Sequence, residues 1–473
     1  MAVKHGDENI SPLAPNGVEN GRQSRPDGLP SWMPSSITKR LPQQSPNTAS
    51  RPYDKNQDYL TGVRGILVPM AFLWAFLQTF TPAAVKGTNQ EDGSAAHLAL
   101  RKSLSVLFWN DTLIYGSIIF LSARTICLPF LLEPNRIVLA STVFRRGIRL
   151  WFPVAAALIV VYFAFTHGTD GNAYLVDFAQ RVGINTMDTD LYILPNSLAN
   201  FNAIFMTFWT TYNFQNQAAN RAFPTQMLWV ISAVFQQSYT VYMTTVIIPY
   251  TRARWRVIGA FAFILTAWWV YSWAWYSISG LLVADAVMNM DLRPSGTGSY
   301  FTVLKTRVPF WAVGALLMIA GFAMQFIWTA ARPDLQNAEL YYHTGIYNTG
   351  GLNYAVDVTA AQIRADCYLI IIGFSLILET SSVLQSIFRN RFLVLLGKRS
   401  LSYFLLQSII VYTLGIKTVT NMMGDDASGY SKATGVAFIA TLLVTIPAAE
   451  AMYWLIEIPS KWFGRWLFDW IRE

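Results

Sequence analysis

The chain is a succession of apolar runs, each near the length a helix needs to cross a bilayer, and that recurrence limits what it can fold into. A helix needs about 20 mostly apolar residues to traverse the hydrocarbon core. Ten segments of the 473-residue sequence meet or approach that length: 65–85, 105–123, 148–166, 225–249, 257–276, 277–291, 308–331, 366–387, 400–417 and 434–456. Inside a membrane every backbone N–H and C=O needs an internal partner, so such runs form helices; a closed barrel would show short alternating strands instead. The expected fold is all-α, a polytopic membrane helix bundle of ten transmembrane helices. The sixth run is short, and its separation from the fifth requires a turn in "WAWYSISG". Charged residues make up 13% of the chain, against about 25% in soluble domains.

Lysines and arginines set the orientation. With the N-terminus in the cytosol, the loop after the second run is cytosolic and carries Arg124, Arg136, Arg145, Arg146 and Arg149. Later cytosolic loops carry Arg252, Arg254 and Arg256, then Arg293, Lys305 and Arg307, then Arg389, Arg391, Lys398 and Arg399, and the C-terminal tail carries Lys461, Arg465 and Arg472. This alternation predicts both termini in the cytosol. Residues 1–56 are rich in Pro, Ser, Asn and Gln. They cannot bury enough apolar surface to offset their ordering entropy, and the expectation is a disordered cytosolic tail without a signal peptide. Residues 57–467 then form the membrane domain and 468–473 a cytosolic end. The partner this implies is the lipid bilayer. The net charge of +8 does not signal nucleic acid, because the basic residues fall between apolar runs. Two opposite-side loops are long, 167–224 and 332–365, and the first contains "FNAIFMTFWTTYNF", which suits a helix lying on or re-entering the membrane.

Ionisable residues within spans are costly, so they mark either function or helix packing. Arg64, Asp111, Asp285, Glu379 and Glu450 fall in this class. Asp111 reads as about two turns into the second run; Glu379 and Glu450 read as deep in the eighth and tenth. Arg64 opens the first run, where an arginine can also snorkel to phosphate head groups. His5, His97, His167 and His343 all fall outside the runs and read as solvated loop residues. No metal site is expected: there is no HExxH, no paired CxxC and no His-rich helix face. Neither a glycine-rich phosphate loop nor a GxSxG elbow is present. Cys127 and Cys367 lie in or beside apolar segments and read as buried, unpaired thiols.

Several stretches, taken in order, resemble one family. "YLTGVRG" resembles the opening of the acyltransferase-3 family, ten-span integral membrane acyltransferases, in the form common in fungi. "IIFLSARTICLPFL" resembles its second-span end, with Ala123 where glycine is usual. "FRRGIRLWFPV", "TQMLWVISAVFQQSYTVYM", "SISGLLVADAVM", "LLGKRSLSYFLLQSII" and "IEIPSKWFGRW" resemble later signatures, so that the resemblance covers residues 57–467. It implies an acyl-coenzyme A donor arriving from the cytosol as co-substrate, no bound cofactor, and esterification of a hydroxyl on a lipophilic small molecule such as a terpenoid or polyketide. It also implies an endomembrane such as the endoplasmic reticulum. The family signature is an arginine followed ten residues later by a histidine. Arg64 fits the first position and Ala75 stands at the second; Val234 stands where a glutamate is usual, and Gln407 where a histidine is frequent.

Arg64, Arg145, Arg146, Arg149 and Trp229 are then the candidate substrate-binding residues. The first four gather near the cytosolic face, where the positive-inside rule alone also predicts them. Alanine and valine cannot move protons, so the proton acceptor has to be sought at Asp111, Glu379 or Asp285, with His167 in reserve. A second reading is a membrane terpene cyclase that reuses the fold without acyl transfer. Such an enzyme needs a carboxylic acid kept neutral by burial, for which Asp111, Glu379 and Glu450 are candidates. It also needs aromatic faces against a carbocation, for which Trp74, Trp109, Trp268, Trp269, Trp273, Trp275 and Tyr276 are available. A third reading is an inactive relative that binds or transports a lipid. Dependence on coenzyme A separates the first two.

Overall fold

The computed structural model describes residues 57–85, 93–165, 173–183, 191–210, 214–294, 299–303, 306–333, 363–423 and 429–472. The expected N-terminal tail, and His5, His167 and His343, lie outside the described residues. Helices cover all ten apolar runs. The ones used below are α1 (Asp58–Phe80), α2 (Asp111–Ile126), α3 (Arg136–Phe165), α4 (Trp229–Ile247), α5 (Ala253–Trp269), α6 (Ala274–Asn289), α7 (Phe310–Phe326), α8 (Ala365–Thr380), α9 (Arg391–Lys398), α10 (Ser400–Ile410), α11 (Tyr430–Met452) and α12 (Ile458–Arg472). Among the described residues the strands form a single antiparallel hairpin, β1 (Tyr300–Val303) with β2 (Thr306–Pro309). Six helical stretches are long and apolar enough to cross a membrane, or seven if α8 and the bent continuation Ser382–Phe388 count as one span.

The outer faces suit lipid. Leu316 and Ile319 on α7, Phe261 and Leu265 on α5 and Leu443 on α11 are all exposed, which a chain surrounded by water would rarely tolerate over such continuous faces. Many hydroxyls within the helices are satisfied by their own backbone. Thr79 donates to the Ala75 carbonyl (2.8 Å), Thr245 to Val241 (2.6 Å) and Thr441 to Ala437 (2.7 Å), so they need no water.

Breaks in the helices shift several expected positions. Asn110 caps α2 by accepting the Leu113 N–H (3.4 Å), and its own amide donates to Gln325 (3.1 Å). A capped start separates α2 from the preceding short helix Ser105–Phe108, so Asp111 is the first residue of α2, while it still lies nearly two turns inside the apolar stretch Ser105–Leu132 that is long enough to cross a membrane. The turn between α5 and α6 falls at Val270–Trp273, where Tyr271 adopts a left-handed φ of 53°; most of "WAWYSISG" is helical. The expected helix in "FNAIFMTFWTTYNF" is present at Ser197–Trp209. After α8 the chain bends by 103° into Ser382–Phe388. The carbonyls that this bend frees, Leu378 and Glu379, accept from the Gln385 amide (3.0 and 3.2 Å).

The bend carries α9 back across the start of α1, and the two backbones touch. A Cβ at Gly62 would collide with the Phe388 carbonyl, one at Gly65 with Leu393, and one at Gly397 with Thr61. Both glycines of "YLTGVRG" are therefore required by a crossing that leaves no room for side chains, as in other small-residue membrane interfaces. The described helices also contain three π-helical turns: Ile327–Ala331, Val411–Gly415 and Tyr453–Glu457, the last joining α11 to α12. The crossing yields a direct test. Gly65→Ala forces the helices apart, with an overpacking cost of about 1–3 kcal/mol. It is expected to lower the thermal midpoint of the detergent-solubilised protein, whereas Gly259→Ala, whose Cβ would meet nothing within 4 Å, leaves it unchanged or slightly higher.

Candidate functional site

The crossing of α9 over α1 closes one side of a cavity of about 290 Å³. α1 lines it with Thr61, Arg64, Leu67, Val68 and Ala71, a spacing of three and four residues that puts them on one helix face. α2 adds Ile118 and Ser122, α3 adds Arg146, Arg149 and Leu150, and α4 adds Ile231 and Val234. α9 and α10 supply Gly397, Lys398, Ser400, Leu401, Phe404 and Gln407. The π turn and α12 supply Tyr453, Glu457 and Lys461.

The cavity is polarised. Arg149 and Lys398 are exposed at its mouth, while Phe404, Gln407 and Val234 are buried. From Arg64 to Ala71 is about 10 Å along α1, and from Lys398 to Gln407 about 14 Å along the chain, at 1.5 Å per residue. Both paths lead from cations to an apolar floor. Arg64 is aimed by α2: it donates to the Leu121 carbonyl (3.1 Å) and to the Thr125 hydroxyl. Arg146 bridges two helices, with Nε on Ser238 (2.9 Å) and Nη2 on Ser122 (2.6 Å). Glu457 contributes the carboxylate. It accepts from Ser402 (2.9 Å) and pairs with Lys461 (2.6 Å). Thus Arg64, Arg146, Arg149, Lys398 and Lys461 face a lining that holds one carboxylate, Glu457. Such a mouth is complementary to a polyanion, and arginine forks suit phosphate in particular.

The other candidates are placed elsewhere. Arg145 does not line the cavity; its Nε donates to the Ser141 carbonyl (3.0 Å). Trp229 is packed edge-on to Tyr115 (5.3 Å between centroids) and tilted against Trp273 (5.3 Å). Asp111 lies ten residues, about 15 Å along α2, from the Leu121 carbonyl that holds Arg64. Asp285 pairs with Arg256 (3.2 Å) and Glu450 with Arg399 (2.5 Å). Glu379 is enclosed: Arg124 donates to it through Nε (3.1 Å) and Nη2 (2.9 Å), and the Tyr59 hydroxyl does so at 2.5 Å. This buried network ties α1, α2 and α8 together. The aromatic residues, Trp74, Trp273, Trp275 and Tyr276 among them, pack on one another and on Tyr115 and Tyr368 as core. Both cysteines are buried thiols, and Cys367 accepts from the Gln325 amide (3.0 Å). Among the described residues no group of three His, Cys, Asp or Glu is placed to hold a metal ion.

The structure thus gathers Arg64, Arg146 and Arg149 and adds three residues not singled out from sequence: Lys398, Glu457 and Lys461. The i, i+4 pair Glu457–Lys461 at the end of the last apolar run is the sequence signal for two of them. Comparison with protein-family models, with curated proteins and with solved structures finds no match to the chain.

The Arg124–Glu379 pair generates a second test. Removing one partner of a buried pair costs about 3–5 kcal/mol, whereas replacing both with apolar groups is often close to neutral. Glu379→Ala is expected to lose most folded protein in size-exclusion chromatography in detergent, and the double variant Arg124→Met/Glu379→Leu to recover it.

Proposed function

We propose that the chain is a multi-pass membrane O-acyltransferase that takes an acyl-coenzyme A and esterifies a hydroxyl of a lipophilic small molecule. The observation that carries this reading is the cavity itself: a lining with five basic side chains, two of them exposed at the mouth, one carboxylate, and an apolar floor. Its volume lies just below the about 300–1,000 Å³ typical of ligand pockets, enough for the acyl end of the donor with its nucleotide outside among the exposed cations. An apolar cleft of about 230 Å³, between α1, α2, α7 and α8, shares Leu67 with the cavity and would receive the acceptor's hydrocarbon part. In this reading all ten apolar runs cross the membrane, with both termini and the cavity mouth on the cytosolic side of an endomembrane such as the endoplasmic reticulum.

The chemistry follows from the residues. The cations bind the donor's phosphates and fix its depth. The acceptor hydroxyl attacks the thioester carbon while Glu457 takes its proton. The tetrahedral centre then collapses, the C–S bond breaks, and the proton passes from Glu457 to the departing sulfur, leaving ester and free thiol. A carboxylate paired with a lysine is a modest base, so proximity must supply part of the barrier reduction. The cyclase reading needs a neutral carboxylic acid. Against it stands the engagement of Glu379, Asp285, Glu450 and Glu457, each of which is held by a basic side chain and not presented to an apolar cavity by itself.

Membranes containing the protein are therefore expected to form ester from hydroxylated lipophilic acceptors only when acetyl-coenzyme A is added; an isomer of unchanged mass formed without it would overturn the reading. Arg64→Ala should raise KM for the donor about 10- to 100-fold, the worth of a hydrogen bond to a charged group, and Arg64→Lys should recover little. Glu457→Gln should lower kcat about 10²- to 10⁴-fold, while Asp111→Asn leaves it within a few-fold. Membrane orientation is checked separately by single cysteines, with those in 251–256 expected to label from the cytosolic side and those in 197–209 from the other.

A further inference from the structure

Gln407 is fully buried, it lines the cavity, and neither its Oε1 nor its Nε2 has a hydrogen-bond partner. Polar groups near it in the chain or in the cavity lining are bonded elsewhere: Ser408 with Thr225 and Met227, Ser402 with Glu457, and Arg146 with two serines. A buried amide with no partner is costly, and the cost persists only where another group completes it. Here the surroundings cannot do so. On the cavity floor Gln407 is accompanied by Ala71, Ile231, Val234 and Phe404, none of which has a polar side-chain atom. The completing group must come from whatever occupies the cavity, and it must be neutral, because the cations lie at the other end.

We infer that Gln407 is the hydrogen-bond donor to the acyl carbonyl of the bound donor molecule, with its Oε1 left to accept an N–H or O–H of the same complex. This rests on the acyl-coenzyme A reading above. The placement fits the chemistry. Ser402, which holds Glu457, and Gln407 lie five residues apart on α10, about 7.5 Å along its axis. Ser402 faces about 140° away from Gln407 around α10, but Glu457 reaches the cavity from the turn before α12 and Gln407 from α10, so a carbon bound in the cavity can turn its incoming oxygen to the first and its carbonyl oxygen to the second. As the carbon becomes tetrahedral, its oxygen gains negative charge and the Nε2–H bond strengthens, which is the role of an oxyanion donor in a site shielded from water. Expulsion of the thiolate returns the oxygen to a neutral carbonyl.

The test compares acetyl-coenzyme A with S-ethyl-coenzyme A, which keeps every phosphate and amide but lacks the carbonyl oxygen. Binding of each is measured calorimetrically on detergent-solubilised wild type and on Gln407→Leu. Wild type is expected to bind the acetyl compound about 3- to 10-fold more tightly, the worth of one neutral hydrogen bond, and Gln407→Leu to bind both equally. Gln407→Leu should also raise the thermal midpoint of the ligand-free protein, since an unpartnered amide is exchanged for a hydrocarbon; a fall would mark Gln407 as a packing element and overturn the inference. Gln407→Met gives the same comparison should the leucine fit poorly. If the preference for acetyl over ethyl survives in these variants, the carbonyl is held elsewhere and the inference fails while the donor reading stands. If wild type binds neither compound, the donor reading fails, and this inference with it.

Discussion

The contact on which the rest depends is the crossing of α9 over the first turns of α1, backbone against backbone. Helices in lipid gain little from hydrophobic attraction to one another, because acyl chains are as apolar as leucine; close approach of main chains is what holds them. Gly62, Gly65 and Gly397 permit that approach. Its result is chemical as well as mechanical. Arg64 stands between the two glycines of α1, and Lys398 follows Gly397 directly, so the same contact sets two cations at one mouth. The sharp bend after Thr380 makes the crossing geometrically feasible, and Gln385 keeps the bend from exposing bare carbonyls to lipid.

A second constraint acts on charge. The buried carboxylates Glu379, Asp285 and Glu457 are each joined to a cation, and the pair around Glu379 also binds the Tyr59 hydroxyl. Sharing charge this way lets polar residues act as joints between helices without the cost of a bare ion. The cavity at Arg64 departs from that balance, since its basic side chains outnumber its carboxylate. The pairs at Glu379 and Asp285 neutralise themselves, whereas this lining carries a surplus of positive charge. That local imbalance, more than any single residue, distinguishes a site from a joint.

The helices were legible from the apolar runs, because length and hydropathy act locally and each run found its helix. So was half of the site: Arg64 beside "YLTG" and two of the three arginines of "FRRGIRL", Arg146 and Arg149, arrive at one cavity. What escaped was set by contacts distant in sequence. Asp111 read as about two turns into an unbroken helix, but Asn110 restarts the helix there, and the Asn110 side chain is itself held by Gln325 more than 200 residues away. Glu379 read as a candidate acid because Arg124 looked like one more basic residue of a loop, whereas it is a fully buried partner. Glu457 and Lys461 read as part of a tail signature, and their inward direction depends on the winding of the helix that bears them.

That winding has a consequence of its own. A π-helical turn holds one residue more than an α-helical one, and each residue advances a helix by about 100°. The turn Tyr453–Glu457 therefore resets the angular phase of everything that follows it. Upstream, α11 shows its apolar side to lipid; downstream, Glu457 and Lys461 look inward, and Trp462, Trp466 and Trp470 stack in a ladder along the outside of α12. The two stripes are out of step along one continuous rod, and the surplus residue reconciles them. Heredity meets this segment as a matter of counting: it can exchange letters on the outer face with little harm, yet the loss of a single one, whichever it is, would rotate the acid and its lysine out of the cavity together.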